Sequence, residues 1–327
     1  MVFGLGESIR ELPELDGANA WLNSEPVTPA GLRGKVVLVE FCTFSCINWL
    51  RTVPYVRAWA DRYGEDGLVV IGAHTPEFQF EHDLEKIRSA LKDMDVRYPI
   101  AVDNDYAVWR AFNNNYWPAL YFADAEGKIR HHRFGEEDYE QSERVIQQLL
   151  TESGAGDVDG GLVSPDTGGV YAPADWDTLG SPETYVGYAR SAGFASPGGL
   201  VTDRSHVYEE PPSLDLNQWG LSGDWTVGAQ PSVLNEPGGR ITHRFHARDV
   251  NLVVGAQGGA GSVPFQVRID GEPPGEAHGL DVDEGGNGTV AEERLYQLIR
   301  QPGHDSDRTF EITFEDPGVE AYVFTFG

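Results

Sequence analysis

The two cysteines of the chain, Cys42 and Cys46, lie in one short segment, FCTFSCINWLRTVPY (41–55). Their spacing is C-x-x-x-C, one residue longer than the C-x-x-C of a dithiol redox centre, and Trp49 stands where the second thiol of such a centre would be. A thiol that ionises near neutral pH can attack disulfides, sulfenic acids or peroxides. The segment therefore predicts thiol chemistry of an altered kind.

The elements around Cys46 favour its ionised form. The apolar run VVLVEF (36–41) predicts a central strand, and CINWLRTVPYVRAWADRYG (46–64) predicts a helix that Cys46 opens. The unpaired N–H groups and the positive end of a helix stabilise a thiolate. The alternative interpretation, a cysteine that is merely a small buried apolar residue, remains open.

Further β-rich and helical runs alternate as far as residue 152. GLVVIGAH (67–74) predicts a second central strand, EHDLEKIRSALKDM (81–94) a helix, and ALYFADAEGKIRHHRF (119–134) two strands around a turn. EDYEQSERVIQQLLTES (137–153) predicts a closing amphipathic helix. This alternation indicates an α/β domain.

The remainder of the chain differs in composition and in the pattern of its apolar residues. Residues 153–170 are rich in Gly and Asp, which predicts a linker. From Trp219 onward, short β-rich runs separated by Gly, Pro, Asn and Asp predict an antiparallel sandwich. We therefore predict an α/β domain over 1–152, a linker over 153–170 and a β-sandwich domain over 171–327.

The segment VVLVEFCTFSCINWLRTVPYVRAW resembles the active site of thioredoxin-fold proteins of the TlpA and DipZ type. The resemblance implies a thioredoxin fold, a central mixed sheet flanked by helices. It implies that Glu40 is a buried proton relay and that Pro54 kinks the active-site helix. NNYWPALYF resembles the segment whose proline is cis and faces the nucleophile, so it implies a cis peptide between Trp117 and Pro118.

Downstream segments extend the resemblance over nearly the whole chain. SPETYVGYARSAGFASPGGL, HARDVNLVVG, GTVAEERLYQLIRQ and DPGVEAYVFTFG resemble the C-terminal β-domain of the DipZ family. That resemblance implies a jelly roll similar to a carbohydrate-binding module. Carbohydrate is therefore a candidate ligand of the second domain, where Trp176, Trp219 and Trp225 could stack on sugar rings, although core packing is the alternative for each.

The chain departs from the family pattern at the thiol pair. The family's WTYSCINC is here CTFSCINW, so Trp49 replaces the resolving cysteine. Three chemistries stay open: Cys46 acts alone and an external reductant thiol completes the cycle, Cys42 resolves a mixed disulfide at Cys46, or the domain only binds partners through its groove or sandwich.

The candidate site residues follow from this pattern. We predict Cys46 as nucleophile on a protein or peptide thiol or disulfide, Cys42 as candidate resolver and Glu40 as proton relay. Substrate contacts are predicted at Trp49, Trp117, Pro118, Thr43 and His74. His74 ends the second central strand at the edge that also carries Cys46. Thr43 and Cys46 form the T-x-x-C of peroxiredoxins, so a one-cysteine thiol peroxidase is a further alternative.

Composition excludes several partners. Asp and Glu outnumber Lys and Arg by 52 to 24, and the net charge of −28 opposes nucleic acids and anionic membrane surfaces. No apolar run has the roughly 20 residues that span a bilayer. We expect no cofactor and no metal, because DVDEGGNGTVAE (281–292) matches an EF-hand loop only in part. The start of the sequence resembles no secretory signal, so a cytoplasmic location is expected, or an extracytoplasmic or periplasmic one if a leader has been removed.

Overall fold

The computed structural model describes residues 10–156, 158–257, 261–303 and 306–327. The chain divides into two compact units, Met1–Tyr171 and Ala172–Gly327, which are described separately below.

The first unit contains a mixed sheet that comprises seven strands within its described residues, with the order β1-β7-β6-β3-β4-β5-β2. Strands β3, β4 and β5 are parallel, and the other neighbours are antiparallel. The strands are β1 (Arg10–Glu11), β2 (Ala20–Leu22), β3 (Val36–Cys42), β4 (Leu68–His74), β5 (Ile100–Val102), β6 (Ala119–Ala123) and β7 (Lys128–Phe134). With its helices, this mixed sheet confirms the predicted thioredoxin fold.

Helices connect and cover these strands. They are α1 (Pro29–Leu32), α2 (Ile47–Tyr63), α3 (Leu84–Asp93), α4 (Ala107–Phe112) and α5 (Tyr139–Glu152), with 3₁₀ helices at Gln79–His82 and Gly169–Tyr171. All seven residues of β3 are buried, as its continuous apolar run predicts for a strand covered on both faces. The parallel register pairs Cys42 with His74, so both residues lie at the carboxyl edge of the sheet where α2 begins.

The segment predicted as a linker runs along α5 in the structure. The backbone N–H of Val163 donates to both carboxylate oxygens of Glu143, at 3.0 Å each. Gln147 donates to the carbonyl of Gly161 at 2.8 Å and to the hydroxyl of Tyr63 at 2.8 Å. Side chains of α5 therefore fix part of this Gly-rich segment, a contact that its composition does not reveal.

The second unit is an antiparallel sheet that curls on itself. Within the described residues, nine of its strands are hydrogen-bonded to their neighbours in the order β15-β14-β17-β12-β10-β11-β18-β13-β16. The strands are β8 (Thr184–Tyr185), β9 (His206–Tyr208), β10 (Trp219–Val227), β11 (Ser232–Leu234), β12 (Arg240–Phe245), β13 (Asp249–Ala256), β14 (Val263–Ile269), β15 (Asn287–Val290), β16 (Arg294–Arg300), β17 (Arg308–Phe314) and β18 (Val319–Phe326), with a 3₁₀ helix at Gly275–Ala277.

Strand β10 joins the two layers of this unit. Its first half, Trp219–Ser222, pairs with β12, and its second half pairs with β9 and β11. Gly223 lies between the halves with φ of 93°, a conformation that side chains disfavour, and a Cβ there would approach the Gly239 backbone to 3.0 Å. The apolar faces of both halves enclose one core. The predicted all-β sandwich is confirmed.

Candidate active site

Cys46 lies at the N-terminus of α2, as its position after the first central strand predicts. It is the N-cap residue, with φ of −78° and ψ of 117°, and its carbonyl accepts the N–H of Leu50 at 2.9 Å. The residue is half-buried and is not disulfide-bonded. The residue therefore lies at the positive end of the helix dipole, which favours a thiolate, although its side chain makes no capping hydrogen bond to the first-turn N–H groups.

The cis-proline segment lies against this sulfur. The peptide between Trp117 and Pro118 is cis, as predicted, and the Cys46 thiol makes a long contact with the Trp117 carbonyl oxygen, at 3.9 Å from Sγ. The Trp117 indole donates to the carbonyl of Thr75 at 3.0 Å and its ring packs on Trp109. Trp117 is half-buried and borders the nucleophile through its carbonyl, and Pro118, which follows the cis peptide, is buried.

Glu40 lies in the core beneath the site with both carboxylate oxygens engaged. The Trp49 indole N–H donates to Oε2 at 3.3 Å, and the Tyr98 hydroxyl donates to Oε1. Burial raises the pKa of Glu40 to about 7, and the two hydrogen bonds oppose that rise. Glu40 can therefore change protonation state near neutral pH, which a proton relay requires.

Trp49 does not line a substrate surface, contrary to the prediction. Its side chain is completely buried, and its N–H points at Glu40. The third residue of α2 faces the sheet, where a large aromatic ring fills the core. The Trp49 side chain therefore fills the core beneath the site and gives the buried acid a hydrogen-bond donor.

Cys42 is a buried thiol at the end of β3. Its exposed fraction is 0%, and its sulfur lies 3.6 Å from the point where a Cβ on Gly72 would be. Burial first, and then the negative charges of Glu40, Cys46 and Glu81, raise the pKa of Cys42 well above its usual range. This environment keeps the Cys42 thiol protonated, which disfavours the predicted resolving role.

His74 and Thr43 are also enclosed. Burial lowers the pKa of His74 to about 3, so the ring is neutral, and neither ring nitrogen hydrogen-bonds to another described residue. The ring stacks on Phe44, with centroids 5.7 Å apart. Thr43 is fully buried, and its hydroxyl faces Glu81 outside hydrogen-bonding geometry. Neither side chain is exposed to a substrate, in contrast to the sequence prediction.

Glu81 is a site residue that the sequence did not single out. Its buried carboxylate accepts a hydrogen bond from the Ser45 hydroxyl at 2.6 Å and from the backbone N–H groups of Glu77 and Phe78 at 2.6 and 2.9 Å. The sequence pattern places it only at the start of the predicted helix over 81–94.

The remaining sequence candidates belong to the second unit. Trp219 and Trp225 are fully buried in the sandwich core, whereas Trp176 is 47% exposed. The structure describes no group of three or more His, Cys, Asp or Glu side chains arranged around a metal position. Within the same residues, no helix combines the length and the apolar character that crossing a membrane requires.

Two family descriptions match the chain, one for each unit. Residues 10–132 match the AhpC/TSA family, and residues 181–327 match the family described as thioredoxin like C-terminal domain. Protein DipZ of Mycobacterium tuberculosis is 37% identical over 271 residues, which is 82% of this chain and 37% of DipZ. The chain thus spans little more than a third of that relative.

Shorter relatives match the first unit. Thiol-disulfide oxidoreductase YkuV of Bacillus subtilis is 34% identical over 142 residues, 43% of this chain and 95% of YkuV. A solution structure of a thioredoxin-like protein in its oxidised form is 36% identical, covers 44% of this chain and 97% of its own, and superposes with a TM-score of 0.41. By its match to YkuV, which it covers almost completely, the chain belongs to the thioredoxin-like thiol-disulfide oxidoreductase family.

Proposed function

We propose that the protein catalyses thiol-disulfide exchange on protein or peptide substrates through Cys46 alone, with an external thiol completing the cycle. One observation supports this most directly: the half-buried Cys46 sulfur lies at the start of α2 beside the Trp117 carbonyl, while Trp49 fills the position of a resolving thiol. The nucleophile of the family is thus present without its partner.

The proposed cycle has two displacements. The Cys46 thiolate attacks one sulfur of the substrate disulfide, a bond forms between the two sulfurs, and the other substrate sulfur leaves as a thiolate that takes a proton from water. An external thiolate then attacks the substrate sulfur of the mixed disulfide and restores the Cys46 thiolate. The products are a substrate thiol and a disulfide between substrate and external thiol, so electrons balance.

Glu40 is proposed to act on the proton side of this cycle. Its pKa of about 7 allows it to hold or release a proton at the pH at which Cys46 reacts. A carboxylate that is neutral below this pH opposes a nearby thiolate less than an ionised one does. The buried acid would therefore tune Cys46 without touching the substrate.

The peroxidase alternative finds less support. In the T-x-x-C arrangement, the threonine hydroxyl must reach a peroxide bound at the cysteine, but Thr43 is fully buried on the Glu81 side. Carbohydrate binding by the second unit also remains a proposal, with Trp176 as the exposed aromatic among the three predicted.

Mixed-disulfide trapping tests the proposed function. The wild-type protein is mixed with a model disulfide protein in the absence of other thiols, and the adduct is located by mass spectrometry. We expect a stable mixed disulfide at Cys46 that added glutathione releases, and no adduct in Cys46→Ser. If Cys46 forms no adduct, and iodoacetamide alkylates it no faster than free cysteine at pH 6 to 7, the function is wrong and a binding module remains.

A further inference from the structure

A buried carboxylate links the turn before Cys46 to the loop after β4. Oε1 of Glu81 accepts from the Ser45 hydroxyl at 2.6 Å and from the Ser45 backbone N–H at 3.4 Å. Oε2 accepts from the backbone N–H groups of Glu77 and Phe78. One side chain thus joins two segments that are more than 30 residues apart in sequence, and its contact on one of them is the residue before the nucleophile.

The hydrogen bonds around this carboxylate favour its ionised form, because each oxygen accepts two donors. Burial acts in the opposite direction and raises the pKa of Glu81, and the hydrogen bonds from Ser45 and Phe78 oppose that rise. A buried ionised carboxylate is costly unless it is fully hydrogen-bonded, so the donors from Ser45, Glu77 and Phe78 reduce that cost.

Aromatic side chains also pack between the turn before Cys46 and the loop after β4. Phe44 packs edge to face on Phe80, with centroids 5.7 Å apart, and Phe78 stacks on Phe80 at 5.8 Å. These apolar contacts hold the two segments together, and within the turn the backbone N–H of Cys46 donates to the Thr43 carbonyl at 3.2 Å. The hydrogen bonds of Glu81 add directional contacts that tie this turn to the loop after β4.

We propose that Glu81 is a positioning residue for Cys46, which holds the turn Thr43–Cys46 so that Cys46 stays at the positive end of α2. This inference rests on the proposed function, because it assigns to Glu81 the geometry that makes Cys46 reactive. Helix N-terminal stabilisation of an anion fades within the first turn. A loosened turn would therefore leave the thiolate less stabilised.

Several titratable groups surround this turn, and their charges also affect the acidity of the Cys46 thiol. Glu40 and Cys42 lie on β3, His74 on β4, Glu77 and Glu81 on the following loop, and Tyr98 before β5. Loss of the Glu81 charge alone would make the Cys46 thiol more acidic, whereas loss of its positioning would make it less acidic. The two effects have opposite signs, so they can be separated.

The test compares three variants of the whole chain. Ser45→Ala removes the hydroxyl donor and leaves the Glu81 side chain unchanged, Glu81→Gln removes the charge and leaves one acceptor oxygen in place of two, and Glu85→Gln makes the same chemical change at an exposed carboxylate on α3, whose side chain is 83% exposed. The rate of iodoacetamide alkylation at Cys46 is followed by mass spectrometry from pH 4 to 9. Circular dichroism and the Tm confirm that each variant is folded.

We expect the alkylation midpoint of Ser45→Ala to rise, so that at pH values below the midpoint Cys46 reacts about two- to fivefold more slowly than in the wild type. The limiting rate at high pH should be unchanged, and Glu85→Gln should match the wild type. A lowered Tm with an unchanged midpoint in both Ser45→Ala and Glu81→Gln would reduce Glu81 to a structural role and overturn the proposal.

Two further outcomes are decisive. A lower midpoint in Glu81→Gln with no change in Ser45→Ala would show that Glu81 acts only by its charge, which also overturns positioning. Failure of the proposed function would look different, since the wild-type protein itself would then show Cys46 no more reactive than free cysteine, whatever the variants do.

Discussion

The Trp49 side chain limits what the buried acid can do. A thiol at this position would exchange a proton with Glu40, but an indole only donates a hydrogen bond, and Tyr98 occupies the other oxygen. Glu40 therefore keeps two fixed donors through any reaction at Cys46. Its remaining variable is its own protonation, and the pKa of about 7 places that change in the neutral range.

The pH dependence of the free energy of unfolding should show the raised pKa of Glu40. Between pH 4.5 and 7 the unfolded chain releases the Glu40 proton while the folded protein keeps it. The free energy of unfolding should therefore fall as the pH rises through this window, by on the order of 3 kcal/mol from this residue, and level off above it. Urea unfolding of wild type and Glu40→Gln at pH 5 and 8 measures the difference.

The Glu40→Gln variant should lack this component, because an amide does not titrate. Glu85→Gln, which changes an exposed carboxylate, serves as the matched control and should retain the wild-type pH slope. Equal slopes in wild type and Glu40→Gln would mean that Glu40 ionises in the folded protein at its ordinary pKa, in conflict with its burial.

Cys42 should be dispensable for chemistry. Because its thiol is buried and its pKa is raised, we expect Cys42→Ala to alkylate at Cys46 within twofold of the wild-type rate and to form the same mixed disulfide. The small cavity should cost about 1 kcal/mol of stability. Intact mass measures the outcome: a wild-type product lighter by two hydrogens, absent from Cys42→Ala, would instead identify a Cys42 to Cys46 disulfide.

The sequence was informative where local pattern determines the chemistry. The strand-to-helix junction located Cys46 and the proline segment located the cis peptide, because both depend on neighbouring residues. The burial of His74 and Trp49 was not predictable in the same way, since it depends on which distant side chains cover them. Glu81 was missed for that reason as well.

At the level of elements, α2 sets the electrostatics of the site. Asn48 is the second residue of the helix and is half-buried, and acidic residues are absent from the first turn. The positive end of α2 is therefore not neutralised by a neighbouring carboxylate on its own first turn. A charge introduced at this position would act on the thiolate and on the helix in opposite directions.

Asn48→Asp should separate these two effects. A carboxylate in the first turn stabilises the helix by about 0.3 to 1 kcal/mol, but it repels the Cys46 thiolate, so alkylation at pH 6.5 should slow about three- to tenfold. Alkylation rates and the Tm measure both changes, and Asn48→Gln is the neutral control. A faster reaction in Asn48→Asp would mean that the thiolate does not depend on the helix N-terminus.

Elements with clear apolar patterns were predictable, whereas the shortest edge strands were not. Strands β3 and β4 and helices α2 and α5 have clear apolar patterns and lie where the sequence indicates. Strands of two or three residues, such as β1, β2 and β8, have too few positions for a period to appear. The predicted helix over 81–94 is a 3₁₀ helix at Gln79–His82 followed by α3, because Asp83 caps a new helix start with its side chain.

The whole molecule adds a long-range field to this local chemistry. The net charge of −28 surrounds a nucleophile that is itself anionic when reactive. Anionic reactants are therefore repelled before they reach the site, whereas neutral and basic ones are not. This property orders external thiols and substrates by charge, independently of their contacts with Cys46 and Trp117.

Added salt should weaken this repulsion of anionic reactants. Raising NaCl from about 20 mM to about 0.5 M shortens the screening distance from roughly 20 Å to roughly 4 Å, so the reaction of Cys46 with an anionic disulfide, 5,5′-dithiobis(2-nitrobenzoate), should accelerate several-fold. The neutral 2-hydroxyethyl disulfide should react at a rate that salt leaves nearly unchanged, which controls for effects on the thiolate itself. Stopped-flow absorbance follows the first reagent, and mass spectrometry follows adduct formation with the second. Equal salt dependence for both reagents would place the control of reactivity in the immediate surroundings of Cys46, where α2, Glu40 and Glu81 act, and would remove net charge from the account of substrate choice.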